Sequence, residues 1–135
     1  MVSEDPLSSN PNDADVLVVD DEQWNRELME SMLSPLGYHI HLARDGQEAL
    51  KTCKEIEPDA ILLDLIMSGL DGFEVARNLK NDPRYQQIPI IVVTASKDEG
   101  SRIRALEIGV DDFLTKPVNR SELQARLRNH LKLKY

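Results

Sequence analysis

Four strand-like runs in this sequence end in a group that can do chemistry. Val16–Val19 runs into Asp20-Asp21, Ala60–Leu63 into Asp64, Ile90–Val93 into Thr94, and Asp112–Thr115 into Lys116. The stretch AILLDLIMSGLDGFEV, residues 60–75, makes the sharpest demand. Its carboxylate, Asp64, stands between apolar residues, and an unpaired buried charge costs several kcal/mol even after relaxation. Asp64 therefore needs partners. Three carboxylates, an amine and a hydroxyl gathered in one place suit a divalent cation and a phosphoryl group. Mg2+ takes oxygen ligands in near-octahedral geometry, using one or two carboxylates and keeping several waters. An aspartate can accept a phosphoryl group as a mixed anhydride. Transfer then needs mainly positioning and charge neutralisation. Asp20, Asp21 and Asp64 would hold the metal, Lys116 would neutralise one phosphoryl oxygen and Thr94 would hydrogen-bond another.

The elements that must position these groups alternate. Short β-branched runs occur at Val16–Asp20, Ile40–Ala43, Ala60–Asp64, Ile90–Thr94 and Asp112–Thr115. Helical periodicity lies between them and after the last, in Leu28/Met32/Leu36, Ala49/Cys53/Ile56, Val75/Ala76/Leu79, Ile103/Leu106 and Leu123/Leu127/Leu131. Asp45 with Glu48, Asp71 with Glu74, Ser96 with Glu99 and Asn119 with Glu122 have the spacing of N-terminal capping boxes. Gly37 and Gly109 follow helical segments as stops do. Five strands alternating with five helices imply an α/β fold, a parallel sheet covered on both faces. Ligands bind such a sheet at the carboxyl ends of its strands, where the four reactive groups fall.

Composition narrows the function. The 135 residues suit one domain. A net charge of −8 leaves no basic face for phosphate backbones, so no direct nucleic-acid contact is expected. The longest apolar runs fall well short of the ~20 residues of a spanning helix, so no membrane segment is expected. No secretory signal opens the chain. The single cysteine, Cys53, reads as a small buried hydrophobe, which fits a reducing cytoplasm. Residues 1–13 read as a flexible leader, 14–132 as the folded domain and 133–135 as a tail, which suits either a single-domain protein or one domain of a longer protein.

VLVVDDE, AILLDLIMSGLDGFEV, IPIIVVTA and DDFLTKP, in this order, resemble the receiver domain of two-component response regulators. The resemblance covers about residues 14–132. It implies a flavodoxin-like, doubly wound (βα)5 fold with strand order 2-1-3-4-5. It implies that Asp64 is the phosphoacceptor and that Asp20 and Asp21 are the acidic pair. The Ile66 backbone carbonyl is then a further metal ligand, Thr94 the switch hydroxyl, Phe113 the switch aromatic and Lys116 the conserved-type lysine before a cis proline. Mg2+, with Mn2+ as substitute, would be the cofactor. The phosphoryl donor would be a histidine kinase or histidine phosphotransfer protein, and an unidentified effector would read the output. Arg102, Asp112, Glu122 and Arg126 resemble cross-subunit pairs, which implies a homodimer on phosphorylation. The family usually has proline four residues after the phosphoacceptor, and Ser68 stands there.

Plainer readings accompany these. Asp20 or Asp21 could cap the first helix, but capping uses only one acid. Thr94 alone is an ordinary strand-end residue, and Phe113 is expected to be partly core. Glu122 and Arg126 are also an i,i+4 pair. His39 and His41 share a strand face; with no third ligand nearby, they read as an edge facing solvent. Trp24 reads as a partly exposed packing residue near the acids. The rival function is a phosphohydrolase of the haloacid-dehalogenase type. Such an enzyme needs Asp-x-Asp, whereas Asp64 is followed by Leu65-Ile66 and Asp20 by Asp21-Glu22. A flavin carrier would need a Ser/Thr/Gly-rich phosphate loop, where this chain has the acidic DDEQWNRE.

Overall fold

The computed structural model describes residues 13–67, 69, 71–95 and 97–134. Most of the expected leader, Ser68, the Ser96 cap position and Tyr135 lie outside the described residues. In chain order the elements are β1 (Asp15–Val19), α1 (Gln23–Leu33), a 3-10 turn (Ser34–Leu36), β2 (His39–Ala43), α2 (Gly46–Ile56), β3 (Ala60–Leu63), α3 (Gly72–Lys80), β4 (Ile90–Thr94), α4 (Glu99–Ile108), β5 (Asp112–Thr115) and α5 (Arg120–Lys134). The strands pair in parallel in the order β2-β1-β3-β4-β5. This is the flavodoxin-like architecture expected from the sequence.

Alternate strand residues feed two apolar layers. Leu17, Val19, Ile61, Leu63, Ile90 and Val92 pack with residues of α2 and α3. Val16, Val18, Leu62, Ile91, Val93 and Leu114 pack with α1 and with Leu123, Leu127 and Leu131 of α5. Burial on both faces explains why the central strands read as unbroken hydrophobic runs. Cys53 is fully buried within the first layer, and burial pushes its thiol up to about 11.

The caps follow the sequence at three helices. Asp45 Oδ1 accepts from Glu48 N–H at 2.8 Å, Asp71 Oδ1 from Glu74 N–H at 2.9 Å and Asn119 Oδ1 from Glu122 N–H at 2.9 Å. At α4 the described cap is Asp98, which accepts from Gly100 N–H at 3.2 Å. Gly37 (φ 95°) and Gly109 (φ 111°) close their helical segments in the left-handed conformation.

Helix α4 departs from expectation. Its apolar pair does not face the core: Ile103 is 49% and Leu106 53% exposed, and Ala105 is the residue of this helix that is buried. Two arginines supply the attachment that an apolar stripe would give. The Arg104 guanidinium stacks 4.0 Å from the Phe73 ring centre at the start of α3, and Arg102 stacks 4.9 Å from that of Phe113 on β5. Such cation–π contacts contribute ~0.5–1 kcal/mol at exposed sites. Helix α5, by contrast, buries Leu123, Leu127 and Leu131 wholly.

Candidate phosphoryl and metal site

Strand register brings the reactive groups together. Val19 lies opposite Leu63, so Asp20 and Asp64 emerge side by side from the carboxyl ends of β1 and β3. Asp64 N–H donates to Val19 O at 3.0 Å, and Asp20 N–H to Ala43 O at 3.1 Å. Thr94 lies opposite Thr115, and Lys116 N–H donates to Thr94 O at 3.0 Å. The Lys116-Pro117 peptide is cis.

Lys116 is the electrostatic centre. Its Nζ donates to Asp20 Oδ2 at 2.6 Å and to Asp64 Oδ2 at 3.1 Å. Asp20 is wholly buried and Asp64 is 7% exposed. Their remaining oxygens are also engaged. Asp20 Oδ1 accepts from Glu22 N–H at 2.9 Å, and Asp64 Oδ1 from Ile66 N–H at 3.2 Å. Burial pushes the Asp64 carboxyl above the ordinary carboxylate range. The Ile66 N–H and the Lys116 cation pull it back, but not fully, and Asp20 adds repulsion. Burial opposes the charge on Lys116, yet the Asp20 hydrogen bond and both carboxylate charges outweigh it and raise the amine.

Asp21, in contrast, is exposed. Asp20, Asp21 and Asp64 each offer an oxygen, and the three lie within 4.8 Å of one another. All-oxygen donors with one open side fit a hard cation that keeps part of its water. Among the described residues this is the one such cluster of His, Cys, Asp or Glu. The His39/His41 pair makes none: His41 Nε2 lies 3.0 Å from Asp15 Oδ1, and His39 is exposed at the sheet edge.

Thr94 is buried and lines a cavity of about 160 Å³ with Leu65, Ser101, Arg102, Phe113 and Leu114. Phe113 is half-buried against the core, as expected. Trp24 is more exposed than expected, at 68%. The buried stripe of α1 is Met29, Met32 and Leu33, and Trp24, the second residue of the helix, lies off it.

Two residues at the site escaped the sequence reading. A Cβ on Gly72 would overlap the Asp64 carbonyl oxygen and the Leu65 Cα, so glycine lets α3 start against the acid loop. Arg26 of α1 donates from Nη1 to the Asp20 backbone oxygen at 2.6 Å. A glycine directly after the Asp71 cap was a visible cue for the first. No spacing rule pointed to the second.

The chain belongs to the response regulator receiver domain family, whose family model matches residues 16–128. It is 45% identical over 121 residues to the response regulator PleD of Caulobacter vibrioides, covering 90% of this chain and 27% of PleD. It is 42% identical over 117 residues to the probable transcriptional regulator ycf27 of Porphyridium aerugineum, covering 87% of this chain and 48% of that one. The chain thus spans about a quarter to a half of these relatives. Among solved structures it resembles a putative response regulator from Chloroflexus aurantiacus J-10-fl, with TM-score 0.84 and 33% identity over 88% of this chain and 98% of that one. It also resembles the receiver domain of the sensor histidine kinase PA1611 from Pseudomonas aeruginosa PAO1, with TM-score 0.82 and 34% identity over 88% and 98%. That structure has a magnesium ion coordinated in its active-site cleft. No described helix of the present chain is long and apolar enough to cross a membrane.

Proposed function

We propose that this receiver domain is a phosphorylation-activated switch with Asp64 as its phosphoacceptor. The observation that carries the reading is Lys116 Nζ set between Asp20 and Asp64, in a cluster whose third acid, Asp21, is open to solvent. An Asp64 oxygen attacks phosphorus while the bond to the donor, a histidine of a kinase or phosphotransfer protein, breaks. Asp20, Asp21, Asp64 and the Ile66 carbonyl would hold Mg2+, or Mn2+ in its place, which supplies positive charge for the transferring group. Lys116 balances one phosphoryl oxygen. The Thr94 hydroxyl moves to another, and Phe113 turns into the cavity beside it. Both states pre-exist, and the phosphoryl group shifts their populations through contacts made in one of them. An effector, still to be identified, reads the face formed by α4, β5 and α5. The same groups assist hydrolysis of the acyl phosphate, and the domain works in the cytoplasm. Haloacid-dehalogenase-type turnover gains no support, because the apolar Ile66 stands where the general acid would be.

Acetyl phosphate with Mg2+ should phosphorylate the purified chain. The label should be base-labile, absent in EDTA, and convertible to homoserine at Asp64 by borohydride. Label at another residue, or turnover of a phosphate ester with no acyl phosphate formed, would reject the assignment.

Phosphorylation is further proposed to pair two copies through α4, β5 and α5. Ile103 and Leu106 are exposed on α4. Arg126 is engaged within its own chain by Asp112 at 2.8 Å and Glu122 at 3.4 Å, so pairing requires those ion pairs to exchange partners. Sedimentation with beryllofluoride and Mg2+ should show a doubled mass. A monomer at high protein concentration rules the pairing out.

A further inference from the structure

We infer that Arg26 is a positioning residue for the cation site, acting through the backbone of the Asp20-Asp21 turn. The inference rests on the metal-site reading above and concerns how that site is kept in shape.

Asp20 is held at every polar atom. Its N–H donates to Ala43 O, Oδ1 accepts from Glu22 N–H and Oδ2 from Lys116 Nζ. Its carbonyl oxygen accepts from Arg26 Nη1 at 2.6 Å. Asp21 has none of this support. Among the described residues its carboxylate makes no hydrogen bond or ion pair to the protein. Its direction is therefore set by the backbone that carries it, the peptide joining residues 20 and 21. The carbonyl of that peptide is the one Arg26 grips. Arg26 thus orients the solvent-facing ligand without touching it.

The position of Arg26 in its helix supports a role outside the helix. It is the fourth residue of α1 and reaches back past the N-terminus. The helix dipole disfavours a cation there, and free groups at that end are N–H donors, which an arginine cannot satisfy. The first turn of α1 has no acidic residue, and Glu22 makes no side-chain cap. Asp20, an acid that would suit this helix start, is engaged by Lys116 and the Glu22 N–H, and Arg26 bridges helix and turn.

Charge alone predicts the opposite sign. Removing a cation beside three carboxylates should tighten Mg2+ binding. Removing a support that orients a ligand typically weakens metal affinity by about 10–100-fold. Arg26→Met keeps an unbranched stem and helix propensity but has no donor. Calorimetric titration with MgCl2 should show at least a tenfold loss of affinity. Arg26→Lys, which can still donate to one carbonyl, should recover most of it. Exposed Glu27→Ala, one residue along, should stay within about twofold of the parent, a difference small on the scale of a lost ligand support. Melting in EDTA should stay close to the parent for all three. If Arg26→Met does not fold, Arg26→Gln, too short to reach, carries the same test. Unchanged or tighter Mg2+ binding in the donor-free variant overturns the inference while the site reading stands. A parent that binds no Mg2+ overturns both.

Discussion

Asp64→Asn is expected to take up no phosphoryl group and yet to melt at a higher temperature than the parent in EDTA. The two effects share one cause. Asp64 is buried beside Asp20, and burial raises its carboxyl above the ordinary range of about 3.9. A raised folded pKa means that the fold binds this proton more tightly than the unfolded chain does. Stability is therefore lost as pH rises from the ordinary value through the folded one, and the penalty is complete once pH exceeds the folded value. An amide has no proton to lose and escapes that penalty. It also removes one of the three charges that face each other within 4.8 Å. Like charges at such distances repel by about 1–4 kcal/mol, depending on the local dielectric. Against this stands one lost hydrogen bond, because an amide has a single acceptor oxygen where Asp64 uses two, for Lys116 and for the Ile66 N–H, a cost of about 1–3 kcal/mol. The melting temperature should rise by about 4 °C per kcal/mol gained. The difference between variant and parent should shrink as pH is lowered, because the parent then becomes protonated too. Mg2+ should stabilise the parent far more than the variant. Full labelling of Asp64→Asn would remove Asp64 from its role. A lower melting temperature in EDTA would mean that Lys116 more than neutralises the cluster.

The legibility of this site follows from how local each determinant is. Asp20, Asp64, Thr94 and Lys116 were readable because a parallel sheet puts all strand ends on one edge, and the runs before them announce the strands. The caps at Asp45, Asp71 and Asn119 were readable because each cap bonds to a residue only three positions on. Strand order was not readable from periodicity; it came through the resemblance. The stripe on α4 misled. Ile103 and Leu106 have helical spacing, but α4 packs mainly beside α3 and turns that pair outward, while Arg102 and Arg104 lie on phenylalanines. An arginine stacked on an aromatic reads as surface in any hydrophobic pattern. Arg26 was hidden for a related reason. Its partner is a backbone carbonyl, and no side-chain identity in the sequence marks a carbonyl as needing a donor.

Lys116→Met should be the most destabilising single change at the site, by about 3 kcal/mol in EDTA at neutral pH. Removing one partner of a buried ion pair typically costs about 3–5 kcal/mol, because the other charge is left uncompensated. Here one amine serves two buried carboxylates, at 2.6 and 3.1 Å. The lower end of the range applies, because Asp64, already raised, can take a proton. The parent lysine is itself raised, so its contribution is complete below the ordinary lysine value of about 10.4 and is lost only as pH climbs through the folded pKa. The deficit of the variant should therefore hold wherever Asp64 is ionised and narrow as acid protonates it. Mg2+ should restore part of the loss by replacing the missing charge. Binding to the folded state alone contributes about 2.7 kcal/mol at one hundred times Kd. The decisive measurement is a double-mutant cycle in EDTA. With Asp64→Asn in the background, Lys116→Met should be less destabilising, although Asp20, the more deeply buried carboxylate at the shorter distance, still loses its partner. The difference between the two backgrounds is the Lys116–Asp64 coupling. Equal losses in both would mean that the amine stabilises through Asp20 alone. Asp64 would then be free to exchange its weak partner for a phosphoryl group with no loss to the fold.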